Sequence, residues 1–379
     1  MSVTYDNAMR RQVMSLPELM DAQYADLEPK TRSILSFQEI YSCQRIILTG
    51  CGDSYAASMA MKPVFEILTG IKVDLIPALE LCRYTPEKLL TGNAFSPLVI
   101  VVSNSGGAAR LSEAVQRCNK YGAFTMAITG KPESPVGMQA KRVLQLEIPR
   151  FESAPGTRSY MVCLMALELL AIRMGEVRGR YPMDQASVYR HEVRDQGKAL
   201  AEMMPQIDAS VLEVAEAWKG LAAFDYVGAG FDYAAAWFGH AKMLEATGRY
   251  SMHINSEEWF HLNCFLKNLD QIGTVVIANT TNPGLSRTKE MIKTAAGMGR
   301  NMMIVTDGTK EDFGVDAYYV QVPKPGTPYS MPLTQFVPVC LLAAYLMAMD
   351  DEKQCRGCTG PWEFCQGAAG LKNSEIVII

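Results

Sequence analysis

Four residues in the second half of the chain have types and spacing that suit proton transfer. Lys242 and Glu245 stand three apart in HAKMLEATG (240–248), so a helix carries them on one face, and Gly248 is placed to end that helix. A carboxylate fixed beside an ammonium can act as a positioned base. In NSEEWFHLNCF (255–265) Asn255 can cap a helix with Glu258 at its third position. Glu258 and His261 then share a face, and the carboxylate can orient the imidazole. The plainer readings are a surface ion pair for Lys242 and Glu245, and a satisfied histidine among aromatic residues for His261. Pattern alone favours the plainer readings.

A second chemistry lies in the first half. The apolar run PLVIVV ends at SNSGG, with Ser103, Asn104, Ser105, Gly106 and Gly107, and a helical pattern follows. Hydroxyls, backbone N–H groups and a helix N-terminus together suit a phosphate. A neighbouring turn, GCGDS, brings Gly52, Asp53 and Ser54 to another strand-to-helix junction. It is not the dinucleotide fingerprint, because Tyr55 stands where the third glycine belongs. A single Ser-Asn-Ser turn is more often a helix cap; two such turns in one repeat favour a phosphate monoester.

Those turns recur because the chain repeats itself. The segment starting at Leu98 matches the one starting at Thr274, and the turn after Leu48 matches the turn after Tyr226, at offsets of 176 (98 to 274) and 178 (48 to 226) residues. Continuous apolar strands alternating with helices predict an α/β fold of two doubly wound parallel sheets, each buried on both faces by flanking helices. The second copy departs at the turns themselves. ANTTNPG has Pro283, which lacks a donor, and GAGFDY replaces GCGDSY, so only the first copy is expected to hold phosphate strongly. The polar helical stretch 175–208 reads as the linker, and the tail from Asp350 to Ile379 falls outside both copies.

The 379 residues carry a formal net charge of −4 and no basic cluster, which argues against a nucleic-acid partner. No apolar run reaches the length of a membrane span without a charge, and the stretch from Phe336 to Met349 reads as a buried helix. The N-terminus has no apolar signal core, and the ten scattered cysteines read as reduced thiols of a cytoplasmic protein. Cys355, Cys358 and Cys365 are close in sequence but lack a nearby fourth ligand, so no metal is expected.

With these residues in place, the sequence resembles the double-domain sugar isomerase (SIS) family, in particular the isomerase half of glucosamine-6-phosphate synthase and the deglycases of phosphorylated Amadori sugars. AMRRQVMSLPELM resembles the family's opening segment, GCGDSYAA its Gly-x-Ser turn, and SNSGG its phosphate loop. SAPGTRSY, with Gly156 and Thr157, resembles the segment that closes over the sugar. Lys242, Glu245, Glu258 and His261 match the family's K-x-x-E turn and a histidine sixteen residues on (245 to 261), and GLKNSEIVII places Lys372 in the tail. Ala108 departs from the hydroxyl that usually continues the loop. Asp53 replaces a common hydroxyl residue and can bond a sugar hydroxyl or a substrate amine. Arg110 can restore positive charge to the loop or stand as a solvated helix arginine.

The resemblance implies a helical N-terminal segment (1–30), a phosphate-binding domain (31–180), a catalytic domain (181–350) and a tail (351–379) over the active site. It implies that Glu245 moves a proton between C1 and C2 of an open-chain sugar phosphate, and that Lys242 and Lys372 stabilise the oxyanion. His261, fixed by Glu258, would open the ring in the site of a neighbouring subunit, in a homodimer or higher homo-oligomer. No cofactor is required. The leading expectation is a deglycase that converts a 6-phosphofructosyl amine to glucose 6-phosphate and free amine. An amino-sugar phosphate isomerase or deaminase uses the same residues. A sensor without turnover is a third reading, disfavoured because no DNA-binding segment precedes the domain. Glutamine-dependent synthesis is disfavoured because Ser2 stands where a cysteine nucleophile is needed.

Overall fold

The computed structural model describes residues 5–363 and 369–379. Its two sheets bear out the duplication. The first is built from β1 (Arg45–Thr49), β2 (Lys72–Leu75), β3 (Leu98–Val102), β4 (Phe124–Thr129) and β5 (Arg142–Gln145). The second is built from β6 (Ala223–Gly228), β7 (Tyr250–Asn255), β8 (Ile272–Ile277), β9 (Asn301–Thr306) and β10 (Tyr318–Gln321). All pairings are parallel, and the orders are β2-β1-β3-β4-β5 and β10-β9-β8-β6-β7. Counted along the chain, both read 2-1-3-4-5. Parallel neighbours need crossover helices, which cover the faces and explain why every residue of β3 and of β8 is buried. In this order the strand direction of travel reverses between the first and third strands. A crevice opens there at the carboxyl ends, bordered by the turns after β1 and β3 or after β6 and β8.

The repeat extends to the backbone of the turns. Gly50 has no room for a Cβ, which would stand 2.6 Å from the Ser54 carbonyl carbon; at Gly228 it would stand 2.6 Å from the Asp232 carbonyl oxygen. Gly52 and Gly230 share φ near +55° (+55° and +54°), a region that favours glycine. The helices that follow, Asp53–Thr69 and Tyr233–Thr247, both end on a left-handed glycine, Gly70 and Gly248.

The chain divides into two compact units. One holds the first sheet and comprises Leu19–Arg150, Arg158–Arg194 and Glu363–Ile379. The other holds the second sheet and comprises Met1–Glu18, Phe151–Thr157 and Asp195–Trp362. The sequence suggested contiguous segments; the units instead draw on separated stretches. The interval read as a linker lies largely in one 36-residue helix, Met183–Trp218, and the division falls within it. The N-terminal helix Ala8–Met14 goes with the second sheet because its Arg10, nearly buried, finds its counter-charge there. Arg10 Nε lies 2.9 Å from the Tyr345 hydroxyl and 3.1 Å from Asp208 Oδ1. Among the described residues one helical stretch, Pro328–Met349, is long and apolar enough to cross a membrane by length and composition, and its apolar part is almost wholly buried within the fold.

Candidate functional site

The Ser103–Gly107 turn is held from behind by the end of β4. Ser103 N–H donates to the Ile128 carbonyl (2.9 Å), and the Asn104 carbonyl accepts from Gly130 N–H (3.0 Å). The Ser103 carbonyl accepts Gly106 N–H at 3.0 Å, which closes the turn. Gly106 is buried with φ +61°, and a Cβ there would stand 1.8 Å from Ser134 Oγ. Ser134 thus fills the space that glycine leaves, and its hydroxyl also caps the helix Pro135–Gln139 by accepting from Gly137 N–H (3.3 Å). The result is a rigid floor with Ser105 exposed upon it. The helix Ala109–Lys120 begins at Ala108 with no side-chain cap. Its terminal N–H groups therefore lack the usual internal acceptor, as an anion site requires.

In the neighbouring turn Ser54 N–H donates to the Cys51 carbonyl (3.2 Å). Asp53 lies half-buried at the start of its helix, where its charge acts on Cys163: burial first, then Asp53, pushes that thiol up to about 12. The carboxylate is thus placed near the helix Arg158–Val177. Arg110 is not a solvated arginine. It binds Glu113, Ser374 Oγ (3.2 Å) and the Glu375 carbonyl, and so holds the tail. The tail brings Lys372 to the loop: a Cβ on Gly107 would lie 3.6–3.8 Å from three carbons of its side chain.

In the other unit Lys242 Nζ and Glu245 Oε2 are 2.8 Å apart on the helix Tyr233–Thr247. The pair is not a surface one, since the Lys242 side chain is fully buried, with its ammonium 4.8 Å from the Phe238 ring, while Glu245 is 37% exposed. A buried ammonium needs a fixed counter-charge, so the core orients Glu245. Asn255 caps the helix Ser256–His261 by accepting from Glu257 and Glu258 N–H. The carboxylate facing His261 is Glu257 at 3.4 Å, four residues earlier, rather than Glu258. Glu257 is held below the usual carboxylate range mainly by Arg287. The His261 side chain is 63% exposed, with Leu262 and Phe265 also exposed beside it. Thr157 is fully buried and turned inward, its N–H and hydroxyl both directed to Gln12 Oε1 (3.3 and 3.1 Å); Gly156 lies half-buried in the bend before it.

One residue that the sequence reading passed over explains why the two copies differ. Asp232 occupies the position of Ser54 in the second repeat. Its buried carboxylate accepts Asn279 N–H (3.2 Å), Asn279 Nδ2 (2.6 Å) and Asn282 Nδ2 (2.7 Å). Asn279 also donates to Gln335 Oε1 (2.6 Å). The second copy thus fills its own anion position with a carboxylate. GCGDSY set against GAGFDY contained this signal, as a neutral hydroxyl exchanged for an acid. Burial pushes Asp232 up to about 7, against the pull of its amide donors. Unfolded aspartate titrates near about 4, so the folded state binds the extra proton between those values. The contribution of Asp232 to stability therefore falls as pH rises from about 4 to about 7. The thermal midpoint of the wild type is expected to decline relative to Asp232→Asn across that window; a flat difference curve would refute the assignment.

Among the described residues no three His, Cys, Asp or Glu side chains converge to hold a metal; Cys365 lies outside them. Residues 39–173 match the SIS domain family. This part of the chain is a SIS domain. A glutamine–fructose-6-phosphate aminotransferase of Bradyrhizobium diazoefficiens is 24% identical over 363 residues, covering 92% of this chain and 58% of its own length. The chain spans about half the length of the curated relatives it matches. Among solved structures, the C-terminal domain of the glucosamine-fructose-6-phosphate aminotransferase of Francisella tularensis superposes with a TM-score of 0.82 at 16% identity, over 93% of this chain and 98% of that one. A glucosamine-6-phosphate deaminase of Thermotoga maritima gives 0.65 at 17% identity, over 91% and 96%. These structural likenesses establish that both sheets have the fold of SIS domains.

Proposed function

We propose that this SIS protein is a sugar-phosphate enzyme of the isomerase type, and that it acts as a deglycase on 6-phosphofructosyl amines. The observation that carries the proposal is the Lys242–Glu245 pair, in which a fully buried ammonium aims a partly open carboxylate. Glu245 takes a proton from C1 of the open-chain ketosamine and returns one to C2, which moves the double bond to a C1 imine. Lys242 and Lys372 stabilise the enaminol oxyanion during that shift. Water adds at C1, the C–N bond breaks, and glucose 6-phosphate and the free amine leave. Ser105 and the N–H groups at Gly107 and Ala108 hold the phosphate. His261 assists ring opening in a neighbouring copy; its exposure, among exposed Leu262 and Phe265, supports that role.

The purified chain should be incubated with a panel of 6-phosphofructosyl amino acids and with glucosamine 6-phosphate. Glucose 6-phosphate released with stoichiometric amine is the expected outcome. Fructose 6-phosphate from glucosamine 6-phosphate would instead assign the isomerase or deaminase reaction, and binding without product would indicate a sensor. Ser105→Ala is expected to weaken sugar 6-phosphates by about tenfold, the loss of one hydrogen bond to a charged group. The affinity for the unphosphorylated analogues should stay unchanged. Equal losses for both would remove the turn from the phosphate site.

A further inference from the structure

Glu113 has no role in the chemistry above, yet its side chain is fully buried. It stands in the helix Ala109–Lys120, four residues past the uncapped start of that helix. Its carboxylate takes Arg83 Nε and Nη2 (3.1 Å to the latter) and Arg110 Nη1. It also accepts a bond from the tail, Val377 N–H, at 3.0 Å. Burial alone would raise this carboxyl, but the Arg83 and Val377 hydrogen bonds and the Arg110 charge outweigh it and hold the group below the usual range.

The same helix holds the tail at further points. Arg110 reaches Ser374 and Glu375, and the Tyr121 hydroxyl donates to the Ile379 carbonyl (3.0 Å). Lys372 is two residues before the first of these anchors. A residue advances the chain by at most about 3.6 Å, so fixing Ser374 confines Lys372 to the neighbourhood of Gly107, where its side-chain carbons lie. Two arginines on one carboxylate leave a surplus of positive charge, and that surplus is what binds the tail carbonyl and hydroxyl.

We propose that Glu113 is a positioning residue: with Arg83 and Arg110 it forms a latch that pins the C-terminal tail and so keeps Lys372 over the Ser103–Gly107 turn. The role of Lys372 in turnover rests on the function proposed above; the latch does not.

The test uses the full chain and the variants Glu113→Gln, Lys372→Ala and their combination, with two readouts. The first is trypsin cleavage after Lys372. Glu113→Gln is expected to speed it by about tenfold or more, the size of one lost charge-assisted hydrogen bond. The second is kcat on the sugar-phosphate substrate. Glu113→Gln should lower kcat in the wild-type background and have no further effect in the Lys372→Ala background. A merely structural role would lower kcat equally in both backgrounds and would overturn the proposal, as would an unchanged cleavage rate. Should Glu113→Gln fail to fold, Val377→Pro removes the tail's donor without touching the Glu113 side chain and must release the tail alike; cleavage at the wild-type rate in that variant also overturns the latch. If Lys372→Ala leaves turnover intact while Glu113→Gln frees the tail, the catalytic role of Lys372 falls and the latch stands.

Discussion

Glu245→Gln is expected to lower kcat by about 10²–10⁴-fold, the usual contribution of a positioned general base. The amide keeps the size of the carboxylate and retains an oxygen acceptor for the Lys242 ammonium, which is fully buried and 2.8 Å away. The chain should stay folded but melt at a lower temperature, because the amide supplies an acceptor and no counter-charge to the buried ammonium, and KM should be little changed, because the substitution removes proton transfer and leaves binding in place. The measurement is a steady-state kcat alongside a thermal melt. A rate equal to wild type would mean that Glu245 only neutralises Lys242, and the proton transfer would have to be assigned elsewhere. Lys242→Ala is a poorer test, since it combines the loss of a counter-charge with a cavity in the core.

Gly106→Ala is expected to cost sugar 6-phosphate affinity by about tenfold to a hundredfold, from strain of roughly 1–3 kcal/mol at a position with positive φ. The backbone there is at φ +61°, and the new methyl would stand 1.8 Å from Ser134 Oγ and 2.4 Å from its Cβ. Either the turn opens or Ser134 moves, and a moving Ser134 uncaps the helix Pro135–Gln139. Pairing the change with Ser134→Gly removes the clash but not the φ strain, so affinity should recover in part. Calorimetric titration with a sugar 6-phosphate checks both variants. Weakened stability with unaltered affinity would show that the turn does not hold the phosphate.

The α/β duplication was legible in the sequence because it is written in local periodicity: apolar strand runs, amphipathic helices, and glycines at matching offsets such as Gly70 and Gly248. The two strand-end turns and the Lys242–Glu245 face were legible for the same reason. Partnerships that depend on tertiary packing were not. Glu258 and Glu257 are equally plausible partners for His261 on a helix, at three and four residues' separation, and in the fold it is Glu257 that faces the imidazole. For Arg110 the sequence leaves a loop cation and a solvated helix arginine both open, because its acceptors lie in the tail, distant in sequence. Glu113 gave no sign at all, since a glutamate in mid-helix reads as solvated unless two arginines from elsewhere converge on it. The interleaved units were hidden likewise, because which sheet a terminal helix joins depends on a buried charge such as Arg10 meeting Asp208 and Tyr345.

Asp232 has a consequence for how the two halves respond to their surroundings. A dissociable anion stabilises its site by RT ln(1 + [L]/Kd), about 2.7 kcal/mol at a hundredfold excess over Kd, and that support disappears when the anion is scarce. A carboxyl group that belongs to the chain cannot dissociate from its site, whatever the solution holds. Under the proposed function, the Ser103–Gly107 turn gains protection from the substrate phosphate and loses it on dilution, while the turn at Asp232 keeps its carboxylate through both. Titrating sugar phosphate during hydrogen exchange should therefore slow exchange at the Ser103–Gly107 turn and leave the turn at Asp232 untouched, two copies of one topology distinguished by whether their anionic group can leave.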